Sequence, residues 1–298
     1  MPHEPLTVQE SAERLRGIGL ICAAVANFTL IDTAAKFAAA HGIPTLEVVW
    51  ARYAASLVVA VLLLRPWRRP ADYMTRRPLS RGVRAVFLLL STVFNFIAIQ
   101  HLQLSESVAI NFASPLIVTA LAGPVLGEWA GPRRWAAVVV GFIGVVIVAE
   151  PDPGAFQPAV LFSLAGAFAY AGYALTTRLL SATESPGGML VYGSLVGTIV
   201  LTAALPTATF VTPDWTIACV LVISGTAAAI GHWFVILANR HTPATVLAPF
   251  SYTQILSMIA AGYLVFGDVP SRSTLLGALV IVASGLYILY RQRVHRDR

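Results

Sequence analysis

The sequence predicts an all-α integral membrane protein: ten transmembrane helices, arranged as two inverted five-helix repeats around a central cavity. Three observations carry that expectation. Ten long apolar stretches divide the 298 residues. Nearly all the arginines fall in the gaps that a ten-span topology places on one side. The second half of the chain also repeats the punctuation of the first. Composition sets the background: hydrophobic residues make up 57%, charged residues 11%, and the mean hydropathy is +0.75. A water-soluble domain of this size does not need that much apolar surface, so hydrocarbon is the solvent for most of the chain.

Residues 1–16 are polar and read as a short cytoplasmic tail. Ala38 to Ala40 faintly resembles a leader cleavage site, but the apolar run before it is too long for a leader and contains Asp32 and Lys36. It reads as a first span. The first half (17–150) then holds spans at 17–40, 46–64, 84–102, 106–126 and 135–149. The second half (151–291) holds spans at 159–178, 189–205, 215–238, 245–266 and 275–290, followed by a basic tail at 292–298. Most approach the roughly 20 residues that a helix needs to cross the hydrocarbon. The gaps are short apart from 65–82, so no soluble domain is inserted.

With the even-numbered gaps inside, the arginines of 65–84, Arg133, Arg134, Arg178, Arg240 and both tails lie inside or at the inner boundary. Arg272 is the only basic residue of an outer gap, and Lys36 and Arg52 fall within spans. This asymmetry puts both termini in the cytoplasm. The formal charge of +6 then serves topology and anionic headgroups rather than nucleic acid. Cys22 and Cys219 sit in spans towards opposite faces, so no disulfide is expected.

A displacement of 140 residues lays 101–112 on 241–252, which matches His101 with His241 and Phe112 with Tyr252. The same displacement lays Gly127-Glu128 on Gly267-Asp268, and a displacement of 142 lays Lys36 on Arg178. Five spans per half is an odd number, so the second copy starts from the opposite side. Inverted repeats are a recurring build of secondary transporters, which hold their substrate near the midplane where the halves meet.

The paired Gly127-Glu128 and Gly267-Asp268, Pro115, Gly144, Gly285 and Ala51-Arg52-Tyr53 occur in the order of a known pattern. On them the chain resembles the drug/metabolite transporter superfamily, specifically its ten-helix EamA-type branch, over residues 17–291. Asp268 stands where glutamate is more usual, and the second half has no proline matching Pro115. The resemblance implies a secondary transporter of small organic metabolites that works by alternating access without a cofactor. Export of amino acids or similar metabolites across the inner membrane of a bacterial cell is the first expectation. Uptake of a nucleoside-containing or cationic metabolite, or quaternary-amine efflux, is the alternative. Oligomeric state is left open.

Intramembrane polar residues nominate the site, because each ionisable group in hydrocarbon costs at least about 2.5 kcal/mol and needs a partner or an aqueous cavity. Phe28, Asp32 and Lys36 share one face of the first span. Asp32 and Lys36 either neutralise one another at i, i+4 or leave Asp32 to bind a substrate ammonium or a coupling proton. Arg52 either packs between the halves, with Glu47 or Asp32 as partner, or binds a substrate carboxylate. Asn111 and Ser114 match Ser251 and Gln254 under the 140-residue displacement, each pair forming a stripe at i, i+3. Pro115 and Pro249 are expected to break the helical ladder beside those stripes. Phe28, Tyr170, Tyr252 and Trp233 lie mid-span, where an aromatic headgroup belt does not explain them, and offer ring contacts to a substrate. His232 reads as a structural histidine or a titrating group, and Gly193 to Gly197 as a close helix approach within or between subunits.

Other classes of function fit poorly. The only lysine, Lys36, lies outside any phosphate-binding loop pattern. Val282 to Gly285 lacks the first glycine of an intramembrane protease motif, and no repeated filter sequence marks a channel. The expected cavity is enclosed by spans 1, 3, 4, 6, 8 and 9, with spans 5 and 10 outside as braces.

Overall fold

The computed structural model describes residues 8–75, 77–127, 129, 131–149, 157–180, 183–205, 210–241, 247 and 250–296. Helix α1 (Val8–Ala40) is followed by α2 (Thr45–Leu64), α3 (Pro78–His101), α4 (Leu104–Asn111), α5 (Ser114–Leu126) and α6 (Pro132–Ala149). The second half continues with α7 (Ala159–Leu180), α8 (Pro186–Ala204), α9 (Trp215–His241), α10 (Thr253–Ala261) and α11 (Arg272–Arg296). The described residues contain no strand. Among the described residues, eight helical segments are long and apolar enough to cross a bilayer, and the apolar stretches Thr253–Phe266 and Arg272–Ile288 are shorter. The chain is a multi-pass membrane protein.

Helix boundaries follow proline and glycine chemistry. Pro78 and Pro186 open α3 and α8 at the first position, where a missing N–H costs nothing. That is why α3 starts six residues before the expected edge at 84. α1 also reaches back to Val8, so half of the expected tail is helix. Gly127 (φ 74°) ends α5 and Gly267 (φ 70°) ends the π-helical turn Gly262–Phe266 after α10, both in the left-handed region that favours glycine.

The fourth span is broken. α4 and α5 are parts of one apolar segment, Leu104–Val125, interrupted at Phe112 and Ala113. Pro115 supplies the cause, since it has no N–H and crowds the preceding turn. The ninth span has its own irregularity at Tyr252, just before α10. Pro249, expected to break that span, and Glu128, the acid of the first Gly-acid pair, lie outside the described residues.

α1 packs along α9, α3 along α7 and α6 along α11, while α2 lies between α8 and α9. Small residues set these approaches. A Cβ on Gly144 would lie 2.9 Å from the Gly277 carbonyl, so α6 and α11 touch backbone to backbone. The Gly193 and Gly197 pattern serves packing within the chain: Gly197 receives the Tyr53 ring and Gly193 faces Arg84 and Leu88. Outward-facing Val139, Val140 and Ile143 of α6 and Leu275, Leu276 and Leu279 of α11 are exposed, as a lipid-facing surface requires.

The two ends of the bundle differ in charge. Arg65, Arg68, Arg77, Arg81, Arg84 and Arg178 gather at one end through Arg81–Tyr73, Tyr73–Leu64 and Arg84–Thr177 contacts. Lys36 lies at the other end, where it donates to the Leu102 carbonyl beyond the last turn of α3. Not all of these arginines are edge markers. Arg81 and Arg84 are 1% and 6% exposed. Arg84 donates to Thr177 Oγ1, the Met189 carbonyl and Tyr173 Oη, clamping α3, α7 and α8 together.

Candidate functional site

Between the halves lies a cavity of about 440 Å³, lined from α1, α2, α3, α4, α5, α7, α9 and the ninth span. Neither α6 nor α11 contributes to it. The lining extends along Ile21, Val25 and Val235 towards the arginine-rich end. At the other end the Lys36–Asp268 ion pair, 2.8 Å long, stands one helical turn beyond Asp32.

The nominated charges do not pair as the spacing suggested. Lys36 turns away from Asp32 to Asp268 and sits over the Phe266 ring. It does not line the cavity. Helical spacing permits the i, i+4 contact, but only the fold brings a second carboxylate and the Leu102 carbonyl within reach of the ammonium. Asp32 lines the cavity and accepts from Asn95 Nδ2 at 3.1 Å. Arg52 also lines it, donates from Nη2 to Thr92 Oγ1 at 2.8 Å, and lies over the Tyr53 and Phe96 rings. Its buried Nε has no hydrogen-bond partner among the described residues. Neither expected partner engages it: Glu47 instead accepts from the Val211 N–H at 3.0 Å, and Asp32 forms no ion pair with it. A carboxylate and a guanidinium therefore face the same cavity without touching.

The neutral stripes also meet there. Asn111 and Ser114 beside the break of the fourth span, and Ser251 and Gln254 beside that of the ninth, all line the cavity. Asn111 Nδ2 donates to Asn95 Oδ1 at 2.7 Å. Rings form the walls. Phe28 lies 5.2 Å from His232, and Phe112 lies 4.8 Å from Tyr252, centroid to centroid. Phe112 and Tyr252 are the residues that the 140-residue displacement superimposes. Tyr170 lines the cavity and packs on Tyr173 at 5.6 Å. Trp233 does not line it: one residue on from His232 along α9, it points about 100° away round the helix.

Asn95 is a cavity residue that sequence reasoning missed. It joins Asp32, Asn111 and Ser107 in one network. The signal was present: Ser91 and Asn95 form an i, i+4 polar pair inside the third span, by the same rule that nominated Asn111.

A family model described as the EamA-like transporter family matches residues 15–149 and again 157–290. The chain belongs to the EamA-like transporter family. As an EamA-like chain it is similar to the riboflavin transporter of Vibrio cholerae, at 30% identity over 88% of each chain. It is 26% identical to the S-adenosylmethionine uptake transporter of Rickettsia conorii, over 95% of this chain and 96% of that one. It is also 26% identical to a pseudopaline exporter of Pseudomonas aeruginosa, over 89% and 94%. A solved crystal structure aligns with a TM-score of 0.55 over 91% of this EamA-like chain and 98% of its own, at 18% identity. That likeness concerns the fold. These relatives are named as transporters rather than enzymes, which places this chain among small-metabolite transporters.

Proposed function

We propose that this EamA-like protein is a secondary transporter that takes up a small heteroaromatic metabolite across a bacterial inner membrane by alternating access. One observation carries the reading: two ring pairs, Phe28–His232 and Phe112–Tyr252, stand in the walls of a cavity that also holds a polar amide cluster. A flat heterocycle can lie against the rings while its polar edge meets the amides. The volume of about 440 Å³ falls in the range of pockets that hold drug-sized ligands. Riboflavin and S-adenosylmethionine, named for the relatives above, both join a heteroaromatic ring to a polar tail.

A second reading, export of an amino acid, is favoured by the unpaired Asp32 and Arg52, which could take the ammonium and carboxylate of a zwitterion. Either reading uses two inverted five-span repeats. Their support is the pairing of α1 with α9 and of α3 with α7, which an internal two-fold relating span 1 to 6 and span 3 to 8 would exchange. The arginine-rich end is then cytoplasmic, with both termini there.

Counterflow in proteoliposomes against labelled riboflavin, S-adenosylmethionine and amino acids, with and without a pH gradient, tests the reading. Exchange of the ring-bearing solutes alone is expected, and exchange of amino acids alone would sink it in favour of the second. Gln254→Ala and Asn111→Ala should each lower flux at unchanged membrane abundance. Wild-type flux in both would remove these residues from the site. Cysteines replacing Arg68 and Arg178 should label from the same face, and labelling from opposite faces would end the inversion.

A further inference from the structure

The cavity does not offer donors and acceptors evenly. A carboxylate presents only acceptors to its neighbours, so Asp32 must be met by the amide nitrogen of Asn95, and it is, at 3.1 Å. That contact orients the Asn95 amide. Its Oδ1 faces the other way and accepts from Asn111 Nδ2 at 2.7 Å and Ser107 Oγ at 3.1 Å. The constraint then passes one residue further. Asn111 commits its nitrogen to Asn95, which leaves its own carbonyl oxygen for the cavity. Two acceptors, Asp32 Oδ2 and Asn111 Oδ1, thus remain without a partner among the described residues.

No donor among the described residues reaches them. Lys36, on the same helix, is held by Asp268 and the Leu102 carbonyl. Arg52 on α2 is held by Thr92 between the rings of Tyr53 and Phe96. His232 on α9 packs on Phe28, and Tyr170 on α7 packs on Tyr173. An acceptor facing a semi-enclosed space gains most from a ligand that supplies the missing N–H, and loses it to a ligand that cannot.

We infer that Asp32 and Asn111, positioned by Asn95, form an acceptor pole that recognises the substrate through N–H donors: an exocyclic amine, an imide N–H or an ammonium. This rests on the transport reading of the same cavity and adds what the cavity selects. Asn95 is a positioning residue, setting the polarity of the pole through its two neighbours. Loss of one matched donor should weaken binding by about tenfold or more, because it strands acceptors that water reaches poorly.

The test uses the full chain in proteoliposomes and detergent, with three matched pairs of probes. They are riboflavin and 3-methylriboflavin, adenosine and purine riboside, and phenethylamine and its N,N,N-trimethyl salt. Within each pair the N–H donors are removed by methylating the nitrogen or by losing the amino group, with the ring system and net charge kept. Affinity is read from competition and from ligand-induced shifts in melting temperature. The donor-bearing member should bind about tenfold tighter in at least one pair. In Asn95→Leu the ratio should fall towards one. Asp32→Asn, which keeps the shape and a partner for Asn95, should lower it with the melting temperature unchanged, so misfolding cannot account for the result.

Equal affinity for both members of every pair that binds overturns the pole and leaves the transport reading standing. A ratio that survives both substitutions overturns the assignment to Asn95 and Asp32. Selectivity confined to the phenethylamine pair, with no binding of flavin or nucleoside, supports the pole and removes the heteroaromatic reading. Binding by no member of any pair overturns both.

Discussion

Among the described residues, each end of the bundle is tied across the two halves by one ion pair, and the two ties differ in depth. Arg81 and Glu184 meet at 2.5 Å with side chains 1% and 2% exposed. Thr75 also donates to Glu184, and Arg81 donates to the Tyr73 carbonyl and faces the Tyr192 ring. Lys36 and Asp268 meet at 2.8 Å with side chains 14% and 25% exposed. The deep pair locks α3 to the α7–α8 junction, because a buried guanidinium cannot leave its carboxylate without stranding a charge. The shallow pair lies directly beyond Asp32 and joins an ammonium to an acid that water can reach. A compact, strongly hydrated ammonium exchanges partners for water more readily than a buried guanidinium fork does. On that difference the Lys36 tie is expected to open more readily than the Arg81 tie.

The largest effect expected is from Arg81→Met alone, which should cost about 3–5 kcal/mol by leaving Glu184 buried without its partner. It should appear as a steep fall in melting temperature in detergent. Arg81→Met combined with Glu184→Leu should restore most of it, and an unchanged melting temperature in the single variant would remove the lock. Next comes Gly144→Leu, expected to cost about 1–3 kcal/mol by forcing α6 from α11. Since neither helix lines the cavity, ligand affinity should hold, and a parallel loss of affinity would make the brace part of the site.

Lys36→Met should cost no more than about 1 kcal/mol, as for a partly solvated pair. Its signature is kinetic: a cysteine at Val108 should react faster with a thiol reagent applied from the Lys36 end. An unchanged rate would show that the shallow pair gates nothing. The smallest effect is expected from Asp268→Glu, which keeps the charge and the reach. Both melting temperature and labelling rate should match the wild type.

Much of the site was legible because burial in hydrocarbon makes polar residues conspicuous. Asn111, Ser114, Ser251 and Gln254 stood out as amides and hydroxyls in apolar runs, and the structure gathers all four at one cavity. Asp32 and Arg52 were found for the same reason, but their partners were not. Lys36 was read with Asp32, its neighbour on the helix, whereas its partner lies 232 residues away. Arg81 and Arg84 were read as topology markers because their positions at a span edge serve that role equally well. Trp233 was nominated for being mid-span, a criterion that ignores which way the helix turns it.

The sequence by itself determined the solvent, the helices, the charge asymmetry of their ends and the family, since each depends on hydrophobicity, proline and glycine placement, or motif order along the chain. Only the tertiary structure decided who meets whom: Lys36 with Asp268, Arg81 with Glu184, Asn95 between Asp32 and Asn111, Phe112 against Tyr252. Hydrogen bonds and ion pairs act over a few ångströms, and helices distant in sequence come that close only once they are packed.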